Sequence, residues 1–328
     1  MIIQEAKDPN LSKQRIESLL ESLRSKRHIT VTIEVCSLCN LKCKFCDLHS
    51  GRFKDVEHNK GLMTEVRYKE IIDSIADLGY KLKVVHFQGN GEPLMHNKFS
   101  EMVRYAYDKN ISEKYVLATN GVLMNNKTFD KLLECGLDEI HVSLDTADPE
   151  KYLEFKGRDF SRKVLENIDY AMKRVTEQKR MKFFIKIPVP TPNGDYGINK
   201  EDMEKAILRF KDLENQYVNI KLMPIELYND GCVLKRKSSS LPCEQVFYLA
   251  YIKFDGRVSI CCVDIYDNLN IGRIPEQSMS EILNGNALRQ IRKIHIENRV
   301  AEISQCYYCG ARPEIDLTSH AEEIKKYI

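Results

Sequence analysis

Two hydrophobic periods alternate along the chain, and the alternation predicts most of its architecture. Ile29-Thr-Val-Thr-Ile-Glu-Val35 is rich in β-branched residues and predicts a strand. Apolar residues then recur at helical spacing from Thr64 to Leu78, where Gly79 closes the segment. The pair of patterns repeats. Strands are predicted over 82–87, 114–118, 139–144, 181–187 and 217–223, with helices near 97–109, 126–135, 161–177 and 200–214. A short amphipathic helix over 11–26 precedes the series. Six such βα units imply an α/β fold with parallel strands and right-handed crossovers. Periodicity leaves a barrel and an open doubly wound sheet equally open. In both, ligand chemistry belongs at the carboxyl ends of the strands.

After about residue 230 the rhythm stops. Lys235-Arg-Lys237 and Ser238-Ser-Ser240 give a linker-like stretch. Residues 246–254 and 257–262 alternate around Asp255-Gly256, which predicts a hairpin. A helix is expected over 278–294, and a short polar helix ends the chain. The predicted division is an N-terminal helical extension (1–27), a core domain (28–230), a small cysteine-bearing domain (231–315) and a C-terminal helix (316–328).

Composition narrows the function classes. A formal net charge of +2 over 328 residues gives no bulk electrostatic case for nucleic acid or a membrane surface. No apolar run reaches transmembrane length, and the first residues carry no signal-peptide pattern, so a cytoplasmic location is expected. In that setting the eleven cysteines are expected as reduced thiols, several of them metal ligands. Four lie within Cys36-Ser-Leu-Cys39-Asn-Leu-Lys-Cys43-Lys-Phe-Cys46. Their spacing admits a tetrahedral zinc held by all four. It equally admits a [4Fe-4S] cube held by three thiolates, with one iron left for a small molecule. Other short motifs sit at strand ends: Gly89-Asn-Gly-Glu-Pro93, Thr119-Asn-Gly121 and Ser143-Leu-Asp145.

In this order and at these places, the motifs resemble the radical S-adenosylmethionine (SAM) superfamily over roughly residues 28–230. Cys39, Cys43 and Cys46 match its cluster loop. Asn90-Gly-Glu-Pro93 matches its GGEP segment, with Asn in place of the first Gly. A zinc knuckle would not require the other motifs. The resemblance implies a partial (β/α)6 barrel and a SAM-binding [4Fe-4S] cluster. It also implies reductive cleavage of SAM to a 5'-deoxyadenosyl radical, fed by an external one-electron reductant such as flavodoxin or ferredoxin. Pro242-Cys243, Ile252-Lys-Phe-Asp-Gly-Arg-Val258, Cys261-Cys-Val-Asp264, Ile271-Gly272 and Cys306-x-x-Cys309 resemble the SPASM or shorter twitch domain. That implies one auxiliary [4Fe-4S] cluster on Cys243, Cys261, Cys306 and Cys309, with Cys262 as the alternative to Cys261.

Within this resemblance each polar position has an expected task. Glu92 suits the SAM ammonium, Gly91 allows close backbone approach, and Asn120 and Ser143 offer hydrogen bonds. Phe45 suits packing on adenine. Lys156 is expected at the SAM carboxylate, with Arg158 as competitor; a lysine there gives a point charge instead of a fork. Cys36 is expected as a buried bystander.

The leading expectation is an oxidoreductase acting on a small polar substrate, a sugar or cyclitol alcohol, with the auxiliary cluster as electron acceptor. It resembles dehydrogenases that oxidise an aminocyclitol alcohol. One alternative is a peptide-modifying maturase. Only about 28 residues precede the first strand, against roughly 80 for an added leader-binding domain. Another is a redox-neutral epimerase with Cys232 or Cys262 as hydrogen donor. Lys186, Glu226 and Tyr228, on or after late strands, are candidate bases. An electron carrier would need neither Glu92 nor an open three-cysteine loop.

Overall fold

In the computed structural model, the six predicted strands lie side by side in chain order. Residues 9–25, 30–44, 46, 49, 60–189, 199–224, 242–262, 264, 267–307, 309 and 317–327 are described. The strands are β1 (Thr30–Ile33), β2 (Val84–Phe87), β3 (Tyr115–Thr119), β4 (Glu139–Ser143), β5 (Lys182–Val189) and β6 (Val218–Pro224). Each pairs in parallel with the next. A doubly wound sheet would reverse its order at a switch point. This one runs from β1 to β6 without reversal, which decides for a partial barrel.

Helices over Glu65–Ala76, Phe99–Asp108, Asn126–Glu134, Ser161–Gln178 and Lys200–Phe210 link the strands. Their starts are fixed locally. The Thr64 hydroxyl accepts from the Arg67 N–H, the Asn125 side chain accepts from the Thr128 N–H, and Asn199 with Asp202 forms a capping box. Gly79 and Gly136 follow two of the ends at positive φ, where a side chain would be strained.

The C-terminal region does not stand apart from the sheet. β7 (Leu249–Ile252) pairs in parallel with β1, and β8 (Arg257–Ser259) and β9 (Asn270–Arg273) follow antiparallel. The hairpin expected at Asp255-Gly256 is present, with Gly256 at φ 90°. All four β7 residues are buried, as suits a strand covered on both faces. So β8, the strand that leads into Cys261, lies two places from β1, the strand that leads into the cysteine loop, with β7 between them.

Three elements differ from the sequence pattern. The helix expected over 278–294 is two, Met279–Leu283 and Asn286–Ile296, divided at Asn284-Gly285. β9 is too short to show a period. The helix Pro149–Lys156 spans little more than two turns, so its apolar stripe is brief. Its start signals were in place: an Asp148 cap, Pro149 in the first turn, and Gly157 at φ 67° beyond its end. Among the described residues no helix is long and apolar enough to cross a membrane.

Candidate active site

The cysteine loop is held by backbone from three directions. The Ser37 N–H donates to the Gly61 carbonyl at 3.0 Å, and the Glu92 N–H donates to the Leu38 carbonyl at 2.8 Å. Lys42 and Lys44 N–H groups donate to the carbonyls of Lys156 and Phe155 at 2.9 and 2.8 Å. Gly91 touches this loop: a Cβ there would lie 2.4 Å from the Cys36 and Leu38 carbonyl oxygens. The close approach expected of Gly91 is therefore to the cysteine loop itself.

Cys39, Cys43 and Cys46 open on one cavity of about 360 Å³ at the carboxyl ends of the strands. Cys36 is not part of its lining; it is buried and its thiol donates to the Leu38 carbonyl at 3.3 Å. Among the described residues, no three His, Cys, Asp or Glu side chains close on a single-ion position. A cube gives each thiolate its own iron, so its ligands need only face a common space. Two orphaned donors accompany the loop. Asn40 Nδ2 and the Tyr152 hydroxyl are buried and have no hydrogen-bond partner among the described residues. Neither residue lines the cavity, so the fit of an iron-sulfur cluster rests on the three thiols that do, soft donors of the kind that hold its irons. Burial pushes the Cys43 thiol up to about 12, against the pull of Lys156.

Glu92 is 2% exposed and fully engaged. Its carboxylate accepts from the Thr119 hydroxyl at 2.6 Å, the Asn120 N–H at 2.7 Å and the Leu94 N–H at 3.1 Å. Burial raises its pKa, and these donors oppose the rise. Asn120 Nδ2 donates to Asn40 Oδ1 at 2.8 Å, which ties the third strand end to the cysteine loop.

Lys156 is 2% exposed, with Nζ 2.5 Å from Asp145 Oδ2 and 3.1 Å from the Ser143 carbonyl. Burial alone would lower its pKa; Asp145 and the Cys43 thiol more than offset that, and the net shift is upward. Asp145 takes φ 67°, so the turn after β4 aims its carboxylate at the lysine. Arg158, the competitor read from sequence, is exposed.

Lys186, Tyr251 and Cys262 also line the cavity. Tyr251 donates to Glu34 Oε2 at 2.5 Å, and the Asn90 N–H donates to the same oxygen at 2.8 Å. Glu34 is 2% exposed and packs beneath Gly89, where a Cβ would meet its Cγ at 2.6 Å. This acid links β1, β2 and β7, and sequence reading missed it. The available signal was an acid inside an otherwise β-branched strand.

Gly91, Glu92, Asn120, Ser143 and Lys156 all line the cavity with the three loop cysteines. Phe45, Glu226, Tyr228 and Cys232 lie outside the described residues. In the C-terminal region, the Cys243 N–H donates to His295 Nδ1 at 3.0 Å, and the Cys309 N–H donates to the Cys306 carbonyl at 3.3 Å. Cys262 faces the cavity and its neighbour Cys261 does not.

A profile of the Radical SAM superfamily matches residues 33–208, and one of the SPASM iron-sulfur cluster-binding domain matches residues 243–310. A GTP 3',8-cyclase of Alkaliphilus oremlandii is 32% identical over 208 residues, covering 63% of this chain and 60% of that protein. The chain thus spans less than two thirds of that curated relative. BtrN, solved in complex with AdoMet and 2-DOIA, superposes with a TM-score of 0.56 at 19% identity, over 85% of this chain and 92% of that one. Native anSMEcpe with bound AdoMet gives 0.59 at 18% identity, over 91% and 96%. At these identities the two structures speak for the fold.

Proposed function

Because the chain belongs to the radical SAM superfamily, we propose that it is an oxidoreductase that dehydrogenates a small polar substrate, a sugar or cyclitol alcohol. It uses a SAM-binding [4Fe-4S] cluster, SAM and an auxiliary iron-sulfur cluster. The observation that carries the proposal is the shared cavity. Cys39, Cys43 and Cys46 face it from the loop after β1, and Tyr251 and Cys262 face it from the C-terminal region. In this reading a hydrogen-abstraction site and a second redox centre are served by strands of one sheet.

In this reading Cys39, Cys43 and Cys46 hold the SAM-binding cluster, and Cys243, Cys261, Cys306 and Cys309 hold the auxiliary one. The outward turn of Cys261 relative to Cys262 favours it as the ligand. When bound, SAM and its cluster supply a 5'-deoxyadenosyl radical, and the auxiliary cluster supplies an electron acceptor. Glu92, prevented from moving by three donors, presents fixed negative charge toward the SAM ammonium. Asp145 holds Lys156 beside Ser143, where the lysine meets the SAM carboxylate with its charge already half balanced. Asn120 fixes the loop through Asn40. The alcohol carbon loses a hydrogen atom, the hydroxyl loses its proton, and one further electron departs, leaving a ketone lighter by two hydrogens. The electrons that start each turnover come from an external one-electron reductant. Among the candidate bases, Lys186 is the described one, at the cavity wall.

Cys262 supports a second reading. A thiol on the cavity wall suits hydrogen return to a substrate radical, which would make the reaction a redox-neutral epimerisation. One experiment separates the two: reduced, cluster-loaded protein is incubated with SAM and a panel of sugar and cyclitol alcohols in D2O. A ketone product with 5'-deoxyadenosine supports dehydrogenation. Deuterium gain with inverted configuration would overturn it in favour of epimerisation.

A further inference from the structure

Beyond the residues assigned to SAM, the inner face of the barrel continues onto β5 and β6, and its charge changes there. Ser143, Lys186 and Lys221 stand directly opposite one another across β4, β5 and β6. Residues in register project to the same face, so the two lysines are neighbours on the inner face. His141, Phe184 and Asn219 occupy the adjacent register position, and the His141 and Phe184 rings lie 4.7 Å apart between centroids. Lys186 lines the cavity; Lys221 beside it is exposed.

Other lysines at this mouth are neutralised by the protein. Lys156 has Asp145, and Lys253 has Asp267. The inner-face acid Glu139 is taken by Lys114 at 2.6 Å and by His141 at 3.2 Å. Lys186 and Lys221 are paired with no carboxylate among the described residues. Two adjacent like charges, one on the cavity wall and one beside it, are a standing cost, and a ligand of opposite charge removes it.

We propose that Lys186 and Lys221 bind an anionic group of the substrate, a phosphate or a carboxylate, and hold the substrate on the β5–β6 side of the mouth. The inference rests on the reading of a substrate bound beside SAM, and it adds charge to that substrate's class. Burial, then Lys221, lowers Lys186 to about 8, and an anion beside it would oppose both effects. An ammonium clamped on an anion keeps its proton, so this role removes Lys186 from the candidate bases. His86 and His141, held neutral beside the lysines, add hydrogen-bonding capacity without adding charge.

The test is lysine labelling of the cluster-loaded wild-type protein with acetic anhydride, read by peptide mass spectrometry. The probes are inorganic pyrophosphate and malonate. Lys186 and Lys221 should label about tenfold more slowly with a bound anion, while exposed Lys163 and Lys200 should not change. Protection by pyrophosphate alone supports a phosphate-bearing substrate, and protection by malonate alone supports a carboxylate. Labelling that neither anion alters overturns the proposal. In calorimetry, the Lys186→Gln/Lys221→Gln protein should lose about tenfold or more in affinity for the protecting anion, and the Lys186→Arg/Lys221→Arg protein should keep it. Equal affinity in the Gln pair would also overturn it. Protein that cleaves SAM without showing protection refutes the anion site alone. Protein that shows protection but never yields 5'-deoxyadenosine refutes the radical reading alone.

Discussion

Across the mouth of the barrel, β1 to β4 carry ionisable groups that the protein itself satisfies, whereas β5 and β6 carry lysines that it leaves to a ligand. Glu92 accepts three hydrogen bonds, and Lys156 is locked on Asp145. Lys186 and Lys221 stand side by side on adjacent strands. A cofactor of fixed structure allows its site to be completed in advance, and preorganised groups need no rearrangement when it binds. The substrate side is different: its balancing charge arrives with the substrate. The proposed SAM side, with its charges paired within the protein, and the proposed substrate side, without such pairing among the described residues, should respond differently to mutation, pH and ligand.

The largest difference is expected in stability. Lys156→Met leaves Asp145 buried without a counter-charge, which should cost about 3–5 kcal/mol and appear as a lowered Tm. Lys186→Met removes a charge that has no described partner, so its cost should be below about 1 kcal/mol. Equal losses would break the comparison. Next comes Glu92→Gln, which keeps the shape but weakens three charge-assisted bonds. About 1.5–3 kcal/mol is expected, with SAM affinity down by tenfold or more in equilibrium binding. Tyr251→Phe should cost less, about 1–2 kcal/mol, because Glu34 keeps the Asn90 N–H. Unchanged SAM affinity in Glu92→Gln would remove Glu92 from the cofactor side.

The smallest effect is a pH slope. Burial, then Lys186, lowers both His86 and His141 to about 4, and Glu139 opposes this. The unfolded chain protonates near 6.5, so it binds more protons than the native state between those values. The stability from neutral His86 and His141 is therefore present above about pH 6.5 and lost as pH falls toward 4. Roughly 1–2 kcal/mol per histidine should disappear between pH 7 and 5, read as a Tm drop that shrinks in His86→Gln and His141→Gln. Pyrophosphate on Lys186 and Lys221 should flatten the slope by offsetting the lysine charge. A slope indifferent to both substitutions would contradict this.

The same two sides differ in how far sequence revealed them. Cys39, Cys43 and Cys46 lie within eight consecutive positions, and Glu92 sits in a compact motif, so local pattern was enough. The order of strands was legible, but the choice of barrel over doubly wound sheet was not, because periodicity carries no information on neighbours. Glu34 escaped because its partners are remote: Tyr251 is 217 positions away and Asn90 is 56 away. Lys221 carried no meaning until register placed it opposite Lys186. β7 read as one arm of a separate hairpin, and only pairing shows that it extends the barrel sheet beside β1. Local chemistry was visible in the chain, and chemistry assembled by strand pairing was not.

The most direct test of the whole account is 5'-deoxyadenosine formation by the reduced Cys39→Ala/Cys43→Ala/Cys46→Ala protein, with its iron counted in the same sample. The account predicts no 5'-deoxyadenosine above background and about four irons per chain retained on the C-terminal cysteines. SAM cleavage that survives the triple substitution, or a protein left without iron, would contradict it.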